Sequence, residues 1–317
     1  MDIVSATFGP LNFKPQVPAE LAYLKIPGSK ALTAIEPFAK VFYQKYETDD
    51  YCFWLTAYHP NADQEIYIHR EGPYIGFKVV LKQHIRYRYD LGELYIKQGQ
   101  FVFAHCPVID TKFNIKSGHE YFVFDMCLNL DFIKSVGIEN ELLGRFLRQI
   151  EEGKRAFLLD TMVQSGALLL DAIEYLLGRP ADKKAASAVL TLLIQVAEQR
   201  NGIDLPEYKI ERMYQAREII RQDVARHVSN HDLARMVGTN SRDLKTDFVK
   251  VFAMPPCQFL QYERIKTAKT LLIEEPQMSV DEIAVKVGFR NSAAFDPAFK
   301  GNVGVTPSFW RKRGGNI

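Results

Sequence analysis

The chain has 317 residues, 47% of them apolar, with 40 Lys/Arg against 38 Asp/Glu and a formal net charge of +2. That length fits two domains, and the apolar share is enough to fill ordinary globular cores. Met1-Asp2-Ile3-Val4 lacks a basic region followed by an apolar run, no apolar stretch approaches a membrane span, and Cys52, Cys106, Cys127 and Cys257 share no ligand-like spacing. A signal peptide, a membrane helix and a zinc site are therefore not expected, and free thiols in a cytoplasmic protein are.

In chain order, residues 1–40 read as irregular, with prolines at 10, 15, 18, 27 and 37. From about Tyr51 the pattern is one of strands: Tyr51–Tyr58, Glu65–His69, Tyr74–Leu81, Glu93–Ile96, Gln100–Ala104, Thr111–Ile115 and Tyr121–Leu128. They are rich in aromatic and β-branched residues and are separated by turn residues such as Glu71-Gly72-Pro73, Gln98-Gly99 and Ser117-Gly118. Seven short strands with regular turn signals predict a barrel or a sandwich. His59, His69, His84, His105 and His119 include no pair one residue apart followed by an acid, so they are expected to be surface or core residues, with no metal and no cofactor. Some of the aromatic load could line an effector pocket, since a small barrel can hold one small ligand.

From about Glu139 the period becomes helical. Leu142, Leu143, Phe146, Leu147 and Ile150 form one stripe, and Met162, Leu168, Leu169, Ala172, Ile173, Leu176 and Leu177 form a second. A third runs from Ala188 to Ala197. These stripes exceed what one small barrel needs and predict a homodimer through residues 139–200. Asn201-Gly202-Ile203-Asp204-Leu205-Pro206 reads as a linker, giving a sensory and dimerisation domain over 1–205 and a second domain over 206–317.

After a helix over Ile210–Val224, one pattern is written twice. Asp232-Leu233-Ala234-Arg235-Met236-Val237-Gly238 is followed by Leu244, Phe248 and Pro256; Glu282-Ile283-Ala284-Val285-Lys286-Val287-Gly288 is followed by Phe295, Phe299 and Pro307. The offset is 50 up to the glycine and 51 beyond it, so the second turn has one extra residue. Each copy reads as a short helix ending at a glycine and a second helix apolar at i and i+4, the helix–turn–helix arrangement that can lay its second helix in a DNA major groove. Ser229 or Asn230 would cap the first copy, and Ser279 with Glu282 has capping-box spacing for the second. Cys257–Glu275 reads as one connecting helix whose stripe (Leu260, Arg264, Ala268, Leu271, Leu272) packs against both copies. Ile210–Ile317 holds 17 Lys/Arg against 12 Asp/Glu, while the remainder is acidic, an asymmetry that fits contact with phosphates.

The repeat resembles the AraC/XylS family of bacterial transcription regulators, carried by Leu233-Ala234, Gly238, Leu244, Phe248, Tyr262, Arg264-Ile265, Ala268, Leu271-Leu272, Ser279 to Ala284, Val287-Gly288-Phe289, Phe295, Phe299-Lys300, Gly304, Thr306-Pro307-Ser308 and Arg311. The resemblance spans roughly residues 210–313. It implies an α+β chain with an N-terminal cupin-like barrel and a C-terminal domain of seven helices, whose two units read adjacent major-groove segments. Matched onto this sequence, the DNA-binding positions are Asn240, Ser241, Arg242, Lys245 and Thr246 in the first unit. In the second they are Arg290, Asn291, Ser292, Ala293 and Asp296, with Pro297 beside them, and Arg311 lies in the basic tail Arg311-Lys312-Arg313. Pro297 and Asp296 depart from the family pattern and predict a kinked or late-starting helix with weak readout.

The sequence therefore predicts a transcription regulator, with double-stranded DNA, RNA polymerase, a small-molecule effector and a second copy of the chain as candidate partners. A degenerate member acting through a protein partner is the alternative. A cupin-like enzyme fused to a DNA-binding domain finds no nucleophile–base pair, phosphate-binding loop or carboxylate pair to support it.

Overall fold

The computed structural model describes residues 2–89, 92–159, 161–199 and 205–315. The chain divides into two compact units, Met1–Glu207 and Tyr208–Ile317. Of the expected linker, residues 201–204 lie outside the described residues.

The first unit opens with strands β1 (Asp2–Ser5), β2 (Gly9–Pro10), β3 (Lys30–Glu36), β4 (Ala39–Glu47), β5 (Tyr51–Pro60) and β6 (Gln64–Arg70). It continues with β7 (Tyr74–Lys82), β8 (Ile85–Tyr89), β9 (Gly92–Ile96), β10 (Gln100–Cys106), β11 (Ile109–Ile115) and β12 (Tyr121–Leu128). Helices α1 (Leu130–Ser135) and α2 (Glu141–Glu151) follow, then β13 (Ala156–Phe157), β14 (Val163–Gln164), α3 (Gly166–Gly178) and α4 (Lys183–Glu198).

The strands build two antiparallel sheets. One has the order β2-β1-β6-β11-β8-β9; the other runs β13-β10-β7-β12-β5-β4-β3, with β14 also on β10. Among the described residues no ladder joins the two sheets, so the β-rich unit is a sandwich with open edges, one of the two arrangements that the strand pattern predicts. Period-2 alternation buries one face per strand in either architecture, which is why the sequence leaves closure undecided. All seven expected strands are present. The expectation of an irregular segment over 1–40 is wrong, because β1–β3 and the start of β4 lie there. Its prolines fall at strand ends and in connections, where no ladder amide is lost: Pro10 closes β2 and Pro37 lies in the β3–β4 turn.

The core between the sheets takes Ile3, Ile66, Ile68 and Phe113 from the smaller sheet and Val41, Tyr58, Val80 and Val123 from the larger. The outer face of the larger sheet carries an aromatic row, Phe53, Phe124, Phe77 and Phe103, with successive ring centroids 5.7, 5.9 and 6.1 Å apart. Helix α2 lays its expected stripe on this row, with Phe146 centred 5.0 Å from Phe103. The α2 stripe is thereby consumed within the chain. Helices α3 and α4 pack on each other. Met162, assigned from sequence to the second stripe, precedes α3, which starts at Gly166.

The second unit is all helical: α5 (Glu207–Gln222), α6 (Asn230–Met236), α7 (Ser241–Phe252), α8 (Pro256–Glu274), α9 (Val280–Lys286), α10 (Ser292–Val303) and α11 (Pro307–Lys312). Its seven helices match the number the resemblance implies. None of the described helices in either unit is long and apolar enough to cross a membrane.

Phe146 is 1% exposed. Truncating it to alanine removes the main anchor of α2 and leaves a cavity over the aromatic row, so Phe146→Ala is expected to cost about 3–5 kcal/mol. Equilibrium denaturant unfolding of the full chain reads this loss. A change below about 1 kcal/mol, the size of an undemanding surface substitution, would show that α2 is not docked on the sheet.

Candidate nucleic-acid interface

The two repeats fold into the same local structure for the same reason. In the first, Ser229 caps α6 by accepting from the Asp232 amide at 3.1 Å. At the other end Gly238 adopts φ 69°. The Gly238 amide donates to the Arg235 carbonyl at 3.2 Å and the Thr239 amide to the Ala234 carbonyl at 2.9 Å, the paired bonds of a Schellman turn. The second repeat copies this. Ser279 and Glu282 exchange both bonds of a capping box, at 2.7 and 3.2 Å. Gly288 adopts φ 90°, its amide donates to Val285, and the Phe289 amide donates to Ala284 at 2.9 Å. Ala234 and Ala284 are buried at the close approach of the paired helices.

The next helices start at equivalent caps, Asn240 for α7 and Asn291 for α10, each side-chain oxygen accepting from the amide three residues on at 2.8 and 3.0 Å. Gly238 and Asn240 are two residues apart, whereas Gly288 and Asn291 are three apart; this is the extra residue inferred from the offsets.

Each recognition helix is held by its inner face. In α7, Leu244, Phe248, Val251 and Phe252 are buried, and Phe248 sits 4.6 Å from Phe252 and 5.6 Å from Phe259 of α8. Behind it, Lys209 of α5 donates to buried Asp247 at 3.0 Å. That hydrogen bond, followed by the surrounding carboxylate charge, holds the Lys209 ammonium above its ordinary range. In α10, Phe295 and Phe299 enter a core with Ile283, Ala284, Val287 and Leu272. Trp310 closes that core 6.3 Å from Phe299, with its indole donating to the Lys269 carbonyl. Arg264 of α8 links the parts. Its Nε donates to Val224 O at 2.7 Å and its Nη2 to Ala225 O at 3.2 Å, and its guanidinium lies 5.7 Å from the Phe289 ring centre.

The outer faces differ. On α7, Arg242, Lys245, Thr246 and Val249 are exposed at i, i+3, i+4 and i+7, with Asn240 exposed and Ser241 half-buried at the helix start. Thr246 Oγ1 donates to the Arg242 carbonyl at 3.1 Å, so its hydroxyl is used within the helix and its methyl group remains as a contact surface. Displaced by 51 residues, the matching positions of α10 are Ala293, Asp296, Pro297 and Lys300. Arg290 and Ala293 are exposed. Asn291 is the cap, and the Ser292 amide donates to Asp281 at 2.9 Å. Hydrogen bonds from the Ser292 side chain and then its backbone hold the Asp281 carboxyl below the usual carboxylate range.

One sequence expectation changes here. Helix α10 does not start late: it begins at Ser292 with Pro297 inside it, and the Ala293 carbonyl loses the amide that would have bonded it. Asp296 is half-buried, and its Oδ1 is buried without a hydrogen-bond partner among the described residues. Arg311 lies in α11, and its Nη2 donates to the Met278 carbonyl at 2.7 Å. Val249 and Lys300 were missed from sequence, although continuing the i, i+3, i+4 series by one turn reaches both.

The two turn glycines separate conformational from steric cost. An alanine Cβ at Gly238 would meet nothing closer than the Arg212 side chain at 3.8 Å, whereas at Gly288 it would lie 2.6 Å from both Ala225 O and Arg264 Nη2. Gly238→Ala is expected to cost about 1–2 kcal/mol for the left-handed backbone alone. Gly288→Ala is expected to cost at least about 1 kcal/mol more, from overpacking against backbone. Equilibrium unfolding of the two variants tests this ordering, and equal losses would contradict it.

Residues 233–313 match a family model described as a helix-turn-helix domain. The Msm operon regulatory protein of Streptococcus mutans is 32% identical over 98 residues, which is 31% of this chain and 35% of that protein. The chain thus spans about a third of the length of that curated relative. Among solved structures, the C-terminal domain of the two-component response regulator yesN from Fusobacterium nucleatum is 28% identical, with 31% of this chain and 95% of that one covered and a TM-score of 0.29. ToxT from Vibrio cholerae is 13% identical, with 79% of this chain and 98% of that one covered and a TM-score of 0.30. With the tandem turns, the braced second helices and the family match in place, residues 233–313 of this chain form a helix–turn–helix domain.

Proposed function

We propose that the chain is a cytoplasmic, sequence-specific DNA-binding transcription regulator in which the first helix–turn–helix unit carries most of the base readout. The observation that supports this most is the exposed row on α7. Arg242 and Lys245 offer donors to guanine and phosphate, and the Thr246 methyl offers an apolar contact to thymine. The α10 row offers one basic side chain, Lys300, beside Ala293 and Pro297, and suits contact with the DNA backbone. The matched Streptococcus mutans protein is named as an operon regulator.

In the same reading the sandwich receives the signal. A cavity of about 120 Å³ lies between its sheets, walled by Trp54, Tyr58, Tyr74 and Tyr87. It holds one buried ion pair, Lys78 Nζ to Asp125 Oδ1 at 2.7 Å, with Asp125 4% exposed. Apolar walls with one fixed polar pair suit a small, partly aromatic effector. A second copy of the chain would dock on the outer side of α3, where Leu168 is 50% and Tyr175 49% exposed.

The reading is tested by titrating the full chain against fragments selected from a genomic pool at two salt concentrations. Affinity is expected to fall with salt, by about 0.9 in the logarithmic slope for each phosphate neutralised. On the selected site Arg242→Ala is expected to lose about 1–3 kcal/mol, roughly 5- to 150-fold, with a smaller loss on unrelated DNA. An unchanged affinity for the selected site removes Arg242 from the interface. No binding to any fragment at low salt would favour the second reading, a member that acts through a protein partner, which the donor-poor face of α10 supports.

A further inference from the structure

Cys52 and Cys127, scattered in sequence, are brought face to face by the larger sheet. They are direct partners in the antiparallel register of β5 and β12. Opposed residues in such a ladder have Cα atoms about 4.5–5.5 Å apart, inside the range a disulfide spans. Both are free, half-buried thiols.

A cation stands beside one of them. Arg70 Nη2 lies 3.9 Å from Cys127 Sγ. The guanidinium lies over two neighbouring aromatic rings, 5.5 Å from the Trp54 centre and 5.6 Å from that of Tyr74. Its Nη1 is buried without a hydrogen-bond partner, and no carboxylate among the described residues pairs with it. The nearby Asp125 is committed to Lys78. Arg70 is half-buried, and a guanidinium partly removed from water without a carboxylate partner gains from a nearby anion, which a thiolate at Cys127 would supply. The hydrogen bond donated by Cys52, then the charge of Arg70, brings the Cys127 thiol below its ordinary range against the opposing effect of burial. The hydrogen bond and burial push the Cys52 thiol up. The pair is therefore asymmetric, one sulfur disposed to ionise and the other to keep its proton. Trp54 and Tyr74, the two rings beside Arg70, also line the cavity between the sheets.

We propose that Cys127 and Cys52 form a peroxide-reactive dithiol site, with Cys127 as the attacking thiolate, Cys52 as the resolving thiol and a small hydroperoxide as the oxidant. The Cys127 sulfur attacks the terminal peroxide oxygen, the O–O bond breaks, and the leaving oxygen departs as water or an alcohol after taking a proton. Cys127 is then a sulfenic acid. The Cys52 sulfur attacks it, the S–S bond forms, and the hydroxyl leaves as water with the proton from Cys52. Two thiols are oxidised by two electrons and one peroxide is reduced. Arg70 is a positioning residue that favours the attacking thiolate. The product is a staple across β5 and β12 beside the cavity, and its formation does not depend on the DNA-binding reading.

The test treats the full chain with hydrogen peroxide near stoichiometry, blocks remaining thiols with an alkylating reagent and maps them by mass spectrometry. Cys257, which is exposed, serves as the internal reference thiol. The expected result is loss of about two daltons, a linked Cys52–Cys127 peptide pair, and Cys257 still alkylated. Cys52→Ser should instead accumulate a sulfenic acid at Cys127 that a dimedone-type probe captures. Arg70→Met should slow Cys127 alkylation about tenfold at neutral pH and move the midpoint of its pH–rate profile upward, a shift that simple loosening of the fold would not produce. Oxidation of Cys257 before the pair, or a Cys127 profile unmoved by Arg70→Met in a protein with unchanged circular dichroism, would overturn the proposal.

Discussion

Arg264 is the contact on which the geometry of the helix–turn–helix unit turns. It projects from the middle of α8, the helix shared by both repeats, and donates to two consecutive carbonyls, Val224 and Ala225, in the connection leading to α6. The same guanidinium stacks over Phe289 and occupies the space that any side chain at Gly288 would need. One residue thus ties the entry of the first repeat to the turn of the second. Two recognition helices can address adjacent groove segments only if their separation is fixed. A planar, multiply donating group that keeps its charge suits this role better than a flexible ammonium.

Within that frame the repeats have diverged where their faces are open and not where they are packed. Alanine, glycine and the two apolar positions of each recognition helix are retained because helix contact and turn geometry admit little else. The outer rows carry no such constraint, and they separate into Arg242, Lys245 and Thr246 on one helix and Ala293, Asp296 and Pro297 on the other. Pro297 removes one backbone bond from the middle of α10, a loss of about 3 kcal/mol in an isolated helix. Here the cap at Asn291, the carboxylate of Asp281 and the burial of Phe295 and Phe299 hold the helix through it.

The helical unit was the more legible part of the sequence because its signals are local. Cap, glycine, i,i+4 pair and proline each act within a few residues, so the helix starts at Ser229, Asn240 and Ser279 could be read almost to the residue. What the sequence concealed was the fate of individual polar side chains. Arg311 reads as a tail charge until the Met278 carbonyl comes within reach, and Asp296 reads as exposed until the packing of α10 half covers it. The sandwich was legible as strands but not as sheets. Register and sheet order are set by contacts between distant segments, and that is also why Cys52 and Cys127 read as unrelated thiols. Residues 1–40 misled because a high proline count marks strand ends and connections as readily as irregular chain.

The central claim is that one unit reads bases while the other holds the backbone. Paired methylation and ethylation interference with the full chain on a selected fragment separates the two, since methyl groups at guanine N7 block major-groove contacts whereas ethylated phosphates block backbone contacts. Guanine interference is expected in one groove segment only, with phosphate interference extending over the adjacent segment as well. Guanine interference of equal strength in both segments would contradict it.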